Sequence, residues 1–221
     1  MRQRIHSQNR TDLESFCHCK PNRPNKNSND WCPDPVQAAR LGLADEFKSC
    51  ALALTERYQV YPSGLAGFMG PEFFVEQIGV LADALQNALV QDYDGLIRIA
   101  PAWPQDWDVD GTVYVQHRTK VHVQIRNGNV LTVGLENGSR GTVRIRNPWP
   151  GQSVDVIDAR SSAVVLPAGS QAILEFPARA ATTFLIQQTQ GANIQLPFET
   201  ISSKKANTPK TLGSRTIGIA R

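Results

Sequence analysis

Long apolar runs are missing from this 221-residue chain. No stretch is long enough to cross a membrane. Residues 1–30 lack the apolar core of a signal peptide, so the chain carries no readable export signal. Excess charge is also scarce: 23 Lys and Arg against 20 Asp and Glu leave a net charge of +3, which argues against a nucleic-acid binder. The surplus sits at the ends. From Ile201 onward Lys204, Lys205, Lys210, Arg215 and Arg221 stand with no acid, and the first thirty residues hold Arg2, Arg4, Arg10, Lys20, Arg23 and Lys26. Basic ends rich in Asn and Pro read as solvated arms rather than a nucleic-acid surface. Cysteine is limited to Cys17, Cys19, Cys32 and Cys50. The Cys17-His18-Cys19 cluster followed by Cys32 matches no standard zinc spacing, so neither a metal nor a cofactor is expected. There is no repeat of fixed period and no heptad pattern.

What is present supports a packed core, since 41% of the residues are hydrophobic and 19% charged. The length suits one large domain or two small ones. Residues 1–33 have no hydrophobic period and read as a disordered arm. Order begins at Asp34-Pro35-Val36-Gln37, where Asp34 can cap, Pro35 suits the first turn and Gln37 holds the capping-box position. Val36, Ala39, Leu43, Phe47, Cys50, Leu54 and Tyr58 then recur every three or four residues, which predicts one helix running to about Arg57. Gly64, Gly67, Gly70 and Pro71 mark a turn region. A second helix is expected from Pro71 or Glu72 to about Gln91, with Phe74, Ile78, Leu81, Leu85 and Leu89 as its stripe. Val75, Val80, Ala82, Ala84 and Ala88 widen that stripe around the helix. A helix so broadly apolar needs neighbours on several sides, more than two helices provide.

The period changes after Asp94-Gly95. Leu96–Ile99 reads as a short strand, and alternating segments follow at 112–116, 120–126, 130–135, 142–146, 153–157, 171–176 and 182–187. Asn127-Gly128, Asn137-Gly138, Pro150-Gly151 and Pro167-Ala168-Gly169 punctuate them as turns. Short strands at this spacing predict an antiparallel β-sandwich. Beyond Gln190 the alternation fades into a basic tail, in which Leu212 and Ile217–Ile219 add at most a late strand. The expected organisation is an arm (1–33), helices (34–93), a sandwich (94–190) and a tail (191–221), an α+β class.

The run Phe73-Phe74-Val75-Glu76-Gln77-Ile78, then Leu89-Val90-Gln91, then Gly95-Leu96-Ile97-Arg98-Ile99-Ala100-Pro101-Ala102-Trp103-Pro104 resembles the end of the catalytic domain in glycoside hydrolase family 95, the α-L-fucosidase type, and related six-hairpin glycosidases. The segments line up without a gap over about thirty residues. The resemblance implies that the helices are the last two or three of an (α/α)6 barrel and that the strands are its C-terminal β-domain. It also implies a carbohydrate substrate, with the acid Glu and base-forming Asn residues upstream in barrel segments this chain does not contain. The parent family is often secreted. By the same resemblance Glu76 stands where the family has an Asp that polarises a catalytic Asn, while Gln77-Ile78 replaces Gly-Asn.

Each candidate has a plainer alternative. Glu72 and Glu76 lie near a helix N-terminus, where acids are favoured by roughly 0.3–1 kcal/mol without any catalytic role. Trp103, Trp107 and Trp149 offer flat faces for sugar, yet Trp103 and Trp107 also sit where a wedge between layers is needed. His117 and His122 fall on opposite faces of a strand, poor geometry for a shared metal. Asp106, Asp108 and Asp110 alternate as in a calcium loop but lack the EF-hand pattern. Asn9-Arg10-Thr11 and Asn137-Gly138-Ser139 match the glycosylation acceptor pattern. The function expected is that of a glycosidase C-terminal region, inactive by itself, whose partners are carbohydrate and the missing barrel portion; the alternative is a stand-alone carbohydrate-binding or interaction module.

Overall fold

The computed structural model describes residues 33–68, 72–189, 210–212 and 215–217. The arm expected over 1–33, with Cys17, Cys19, Cys32 and the Asn9 acceptor, lies outside them but for Pro33, as does most of the basic tail. Among the described residues the chain is α+β, with three α-helices and mostly antiparallel strands. It divides into two compact units, one ending at Ala88 and including the short strands near the C-terminus, the other starting at Leu89.

The first unit holds α1 (Asp34–Arg40), α2 (Ala44–Tyr58), most of α3 (Val75–Leu89) and two strand pairs: β1 (Gly67–Phe68) with β2 (Glu72–Phe73), and β13 (Lys210–Leu212) with β14 (Arg215–Ile217). The single helix expected over 34–57 is thus two. Gly42 takes φ +75°, its N–H donates to the Ala39 carbonyl, and the Leu43 N–H donates to that of Ala38. This is a Schellman ending, for which a glycine past the last turn is the usual requirement. Asp34 does not cap; Pro33 holds the cap position and no side chain bonds there. Of the stripe expected on this helix, Phe74, Leu81 and Leu89 are buried with the widening residues Ala84 and Ala88, while Ile78 is half-buried, Leu85 is exposed and Gln77 is buried instead. Ala84 and Ala88 face inward, so Leu85 is left 39% exposed and Val75 65%. Tyr58 meets Phe74 edge-on at 5.4 Å, and Arg40 on α1 reaches Asp83 and Asn87 on α3.

The second unit begins with β3 (Val90–Gln91), paired with β4 (Arg98–Ile99). Eight longer strands follow: β5 (Val109–Val115), β6 (Thr119–Arg126), β7 (Asn129–Asn137), β8 (Gly141–Arg146), β9 (Val154–Asp158), β10 (Val164–Gly169), β11 (Ile173–Ala178) and β12 (Thr182–Gln188). Six make one antiparallel sheet in the order β10-β9-β12-β7-β6-β5, and β8 pairs with β11 in a second. Alternation along β6 buries Thr119, Val121, Val123 and Ile125. These join Val133, Leu135, Val156 and Ile186 from the large sheet and Ile145, Leu174 and Phe176 from the small one in a single core. Seven of the strands match segments expected from the alternation. The eighth, β10, occupies a stretch read as a turn at Pro167-Ala168-Gly169. It is an edge strand with two register shifts, where a proline without an N–H is tolerated.

Two hairpin turns share a geometry but not a chemistry. Asn127 and Gly128 have φ +50° and +73°, and His117 and Arg118 have +58° and +56°. Both pairs adopt the left-handed conformation of a type I′ turn, for which Asn-Gly is preferred. Non-glycine residues there cost roughly 1–2 kcal/mol each. The double substitution His117→Asn with Arg118→Gly is therefore expected to stabilise the chain by about 1–2 kcal/mol. The Tm rise should be about 2–8 °C by thermal unfolding; an unchanged or lower Tm would show that the His-Arg turn is held without strain.

Candidate functional site

Glu76 lies in the first turn of α3, exposed. The next residue, Gln77, is 2% exposed, and neither atom of its amide has a hydrogen-bond partner among the described residues. An unmade bond of this kind costs about 1–3 kcal/mol per group. Trp103 and Trp107 pack edge-to-face at 5.8 Å, and the Trp103 indole N–H donates to the Trp107 carbonyl. Trp149 is 8% exposed and belongs to the sandwich core, its N–H given to the Val130 carbonyl. The aspartates before Gly111 serve the β6–β7 hairpin: Asp108 accepts the Asn127 N–H and Asp110 pairs with Arg126. Asn137 is 5% exposed and donates its amide to the Ser139 and Arg179 carbonyls, so the folded chain does not offer it for glycosylation. Among the described residues no three His, Cys, Asp or Glu side chains gather for a metal.

Two polar clusters emerge that sequence spacing did not mark. The first is a chain of bonds across the outer face of β5, β6 and β7. Thr112 Oγ1 lies 2.7 Å from His122 Nδ1, His122 Nε2 lies 2.8 Å from Glu136 Oε1, and Lys120 Nζ donates to Glu136 Oε2 at 2.9 Å. Tyr114, 71% exposed, stands beside Lys120. Hydroxyl, imidazole and carboxylate follow the order of a nucleophile, its base and the group that orients it. The backbone of β6, which carries His122 and Lys120, is laddered on both sides, by β5 and by β7. The cluster is better suited to ordering a surface than to acyl transfer. The hydrogen bond from Lys120 holds the Glu136 carboxyl below the usual carboxylate range, and the same bond pushes the Lys120 ammonium up. The stabilisation from Glu136 is therefore complete above its unfolded value, about 4.3, and is lost as pH falls through the lower folded value. That from Lys120 is complete below about 10.4 and fades as pH rises through the raised folded value. In thermal unfolding against pH, Glu136→Gln should lower the Tm slightly at neutral pH. The gap to the parent chain should close below about pH 4; a gap independent of pH would contradict the ladder.

The second cluster borders a cavity of about 300 Å³ in the second unit, between the turn at 116–118, the turn at 138–140 and the segment from Asp92 to Ile97. Its walls are fixed by their own bonds. Asp92 Oδ2 accepts the Gln116 N–H, Ser139 Oγ donates to the His117 carbonyl at 2.7 Å, and Thr119 Oγ1 donates to Asn137 Oδ1 at 3.3 Å. Gly138 lies so close to the Arg118 backbone that a Cβ there would overlap the Arg118 carbonyl. Nearby, Arg98 is 9% exposed, stacks on Tyr93 at 3.8 Å and donates to the Tyr93 and Leu96 carbonyls. Burial pushes its guanidinium below the usual arginine value. That side chain closes the loop around Asp94, whose φ is +58°.

No protein-family model and no curated protein matches the chain. Among solved structures, the chain is similar to an AmyP variant crystallised in complex with maltotriose, at 8% identity and a TM-score of 0.28. The match covers 72% of this chain and 39% of that one. A TM-score of 0.28 does not amount to a shared fold.

Proposed function

We propose that the chain is the C-terminal region of a glycoside hydrolase, of the family 95 type that its Phe73–Pro104 run resembles. In this reading 34–93 are the last helices of an (α/α)6 catalytic barrel, 94–190 are the β-sandwich that follows it, and Glu76 is one carboxylate of the barrel's active-site wall. The substrates are glycosidic bonds of oligo- or polysaccharides, with α-L-fucosides the first to examine. The observation that supports it most is the state of α3. Gln77 is buried with both amide atoms unpartnered among the described residues, while Phe73, Val75 and Leu85 are 64%, 65% and 39% exposed. A helix with orphaned polar atoms inside and bulky apolar residues outside matches one whose neighbours belong to another segment.

The chain by itself is expected to show no turnover of aryl glycosides, aryl fucosides included. Glycosidic cleavage generally needs an acid for the leaving oxygen and a base or nucleophile on the other face, and in the resembled family both groups lie in segments upstream of Glu76. Turnover that disappears in Glu76→Gln would overturn the inactive-fragment reading. A second reading, a stand-alone carbohydrate-binding module, is favoured by Tyr114, which presents its ring beside the ordered Lys120–Glu136–His122 chain while Trp149 is enclosed in the core. Oligosaccharide binding that is lost in Tyr114→Ala would support it.

A further inference from the structure

The cavity beside the 116–118 and 138–140 turns carries two guanidiniums, those of Arg140 and Arg144, on its lining. Its acceptors are largely spoken for: Asp92 Oδ2 holds the Gln116 N–H, Asn137 Oδ1 holds the Thr119 hydroxyl, and the His117 carbonyl holds the Ser139 hydroxyl. Asp92 keeps its other carboxylate oxygen, and the Gln116 amide and His117 ring also line the space, but the guanidiniums outnumber the one carboxylate. Arg140 has no carboxylate within ion-pair distance among the described residues, and the Thr142 hydroxyl also lines the space. Arg144 adds a second guanidinium, engaged with Glu175 only through Nε at 3.4 Å. Ile97, Val115 and Val143 supply an apolar wall. The volume is at the low end for ligand sites, which suits one ring rather than a chain. One wall is the His117-Arg118 turn, with two successive non-glycine residues at positive φ, and such strain gathers at sites that use it.

We propose that this cavity binds a pyranose bearing a carboxylate, a hexuronate, with Arg140 as the partner of the carboxylate and the apolar wall under the ring. The sugar half rests on the carbohydrate reading above; the anion half rests on the Arg140 and Arg144 guanidiniums. A carboxylate matches the fork of a guanidinium bidentately, and hydrogen bonds to charged groups are worth enough to change affinity by about tenfold or more.

The test is calorimetric titration of the full chain with D-glucuronate and D-galacturonate, their methyl esters, acetate, and neutral fucose and maltose, with amide NMR shifts to locate binding. One hexuronate per chain is expected, with shifts concentrated at 116–119 and 137–144. The esters should bind about tenfold more weakly or worse. Arg140→Ala should lose about tenfold or more, and Arg140→Lys should keep part of the affinity. Arg140 is exposed, so thermal unfolding should show both variants folded. Equal binding of acid and ester, or binding unaffected by Arg140→Ala, overturns the proposal. Acetate binding as tightly as hexuronate overturns its sugar half. Neutral sugars binding without hexuronate overturns the cavity assignment and leaves the carbohydrate reading standing; no sugar binding with Arg140-dependent acetate binding does the reverse.

Discussion

Phe176→Ala is expected to destabilise the second unit by about 3–5 kcal/mol. Phe176 is 1% exposed and belongs to β11, in the two-stranded sheet. Its ring meets Phe184 of β12, in the six-stranded sheet, edge-to-face with centroids 5.2 Å apart and planes at 65°. The contact therefore ties one sheet to the other. Truncation removes the transfer free energy of the ring, leaves a cavity that two laddered sheets cannot collapse into, and forfeits the aromatic pair, worth roughly 0.5–1.5 kcal/mol. Phe176→Leu, which keeps most of the volume, should cost much less. Urea unfolding followed by tryptophan fluorescence reads this directly, because Trp103, Trp107 and Trp149 all lie in this unit. An unchanged midpoint for the alanine variant would mean that the two sheets do not depend on each other.

Gly138→Ala should also be costly, by about 1–3 kcal/mol with the upper end expected. The added methyl would meet the Arg118 carbonyl, its carbonyl carbon and its Cβ, two of them backbone atoms. Backbone cannot swing aside as the tip of a long side chain can. Moving it would disturb the Ser139–His117 and Thr119–Asn137 bonds that join the two turns, so loss of any cavity ligand should accompany the loss of stability. Gly141, three residues on, has open space where its Cβ would be. Gly141→Ala is expected to stay within about 0.5 kcal/mol of the parent chain. If both substitutions behave alike in thermal unfolding, close packing of the two turns is not what requires a glycine at 138.

Much of the sandwich was legible because a strand buries every second residue, and the pattern Val121, Val123, Ile125 states that period openly. Turn residues such as Asn127-Gly128 marked where it resets. The strand β10 was hidden by Pro167 because only a position at a sheet edge makes a proline harmless there, and edge position is a matter of pairing order. Gly42 did carry its signal, but the apolar period runs through it, from Ala39 to Leu43 to Phe47, and obscured the break. In α3 the expected stripe held at Phe74, Leu81 and Leu89 and failed at Leu85. Large apolar residues draw attention to Ile78 and Leu85, whereas the positions the structure buries are Gln77, Ala84 and Ala88.

The candidate site was less legible. Glu76 and the tryptophans stand out by residue type, but type does not reveal that the Trp149 ring is enclosed and its N–H spent. The Thr112–His122–Glu136 chain joins residues 10 and 14 positions apart, and only strand register makes them neighbours. The cavity at Arg140 is bordered by three separate turns and loops that no sequence pattern joins. The sequence alone determined the strand faces, most of the turns and the α+β class, because these follow from local periodicity and backbone preference. Which polar groups meet, and which are left with donors to spare, was decided by the tertiary structure, since hydrogen bonds join atoms that are close in space wherever they lie along the chain.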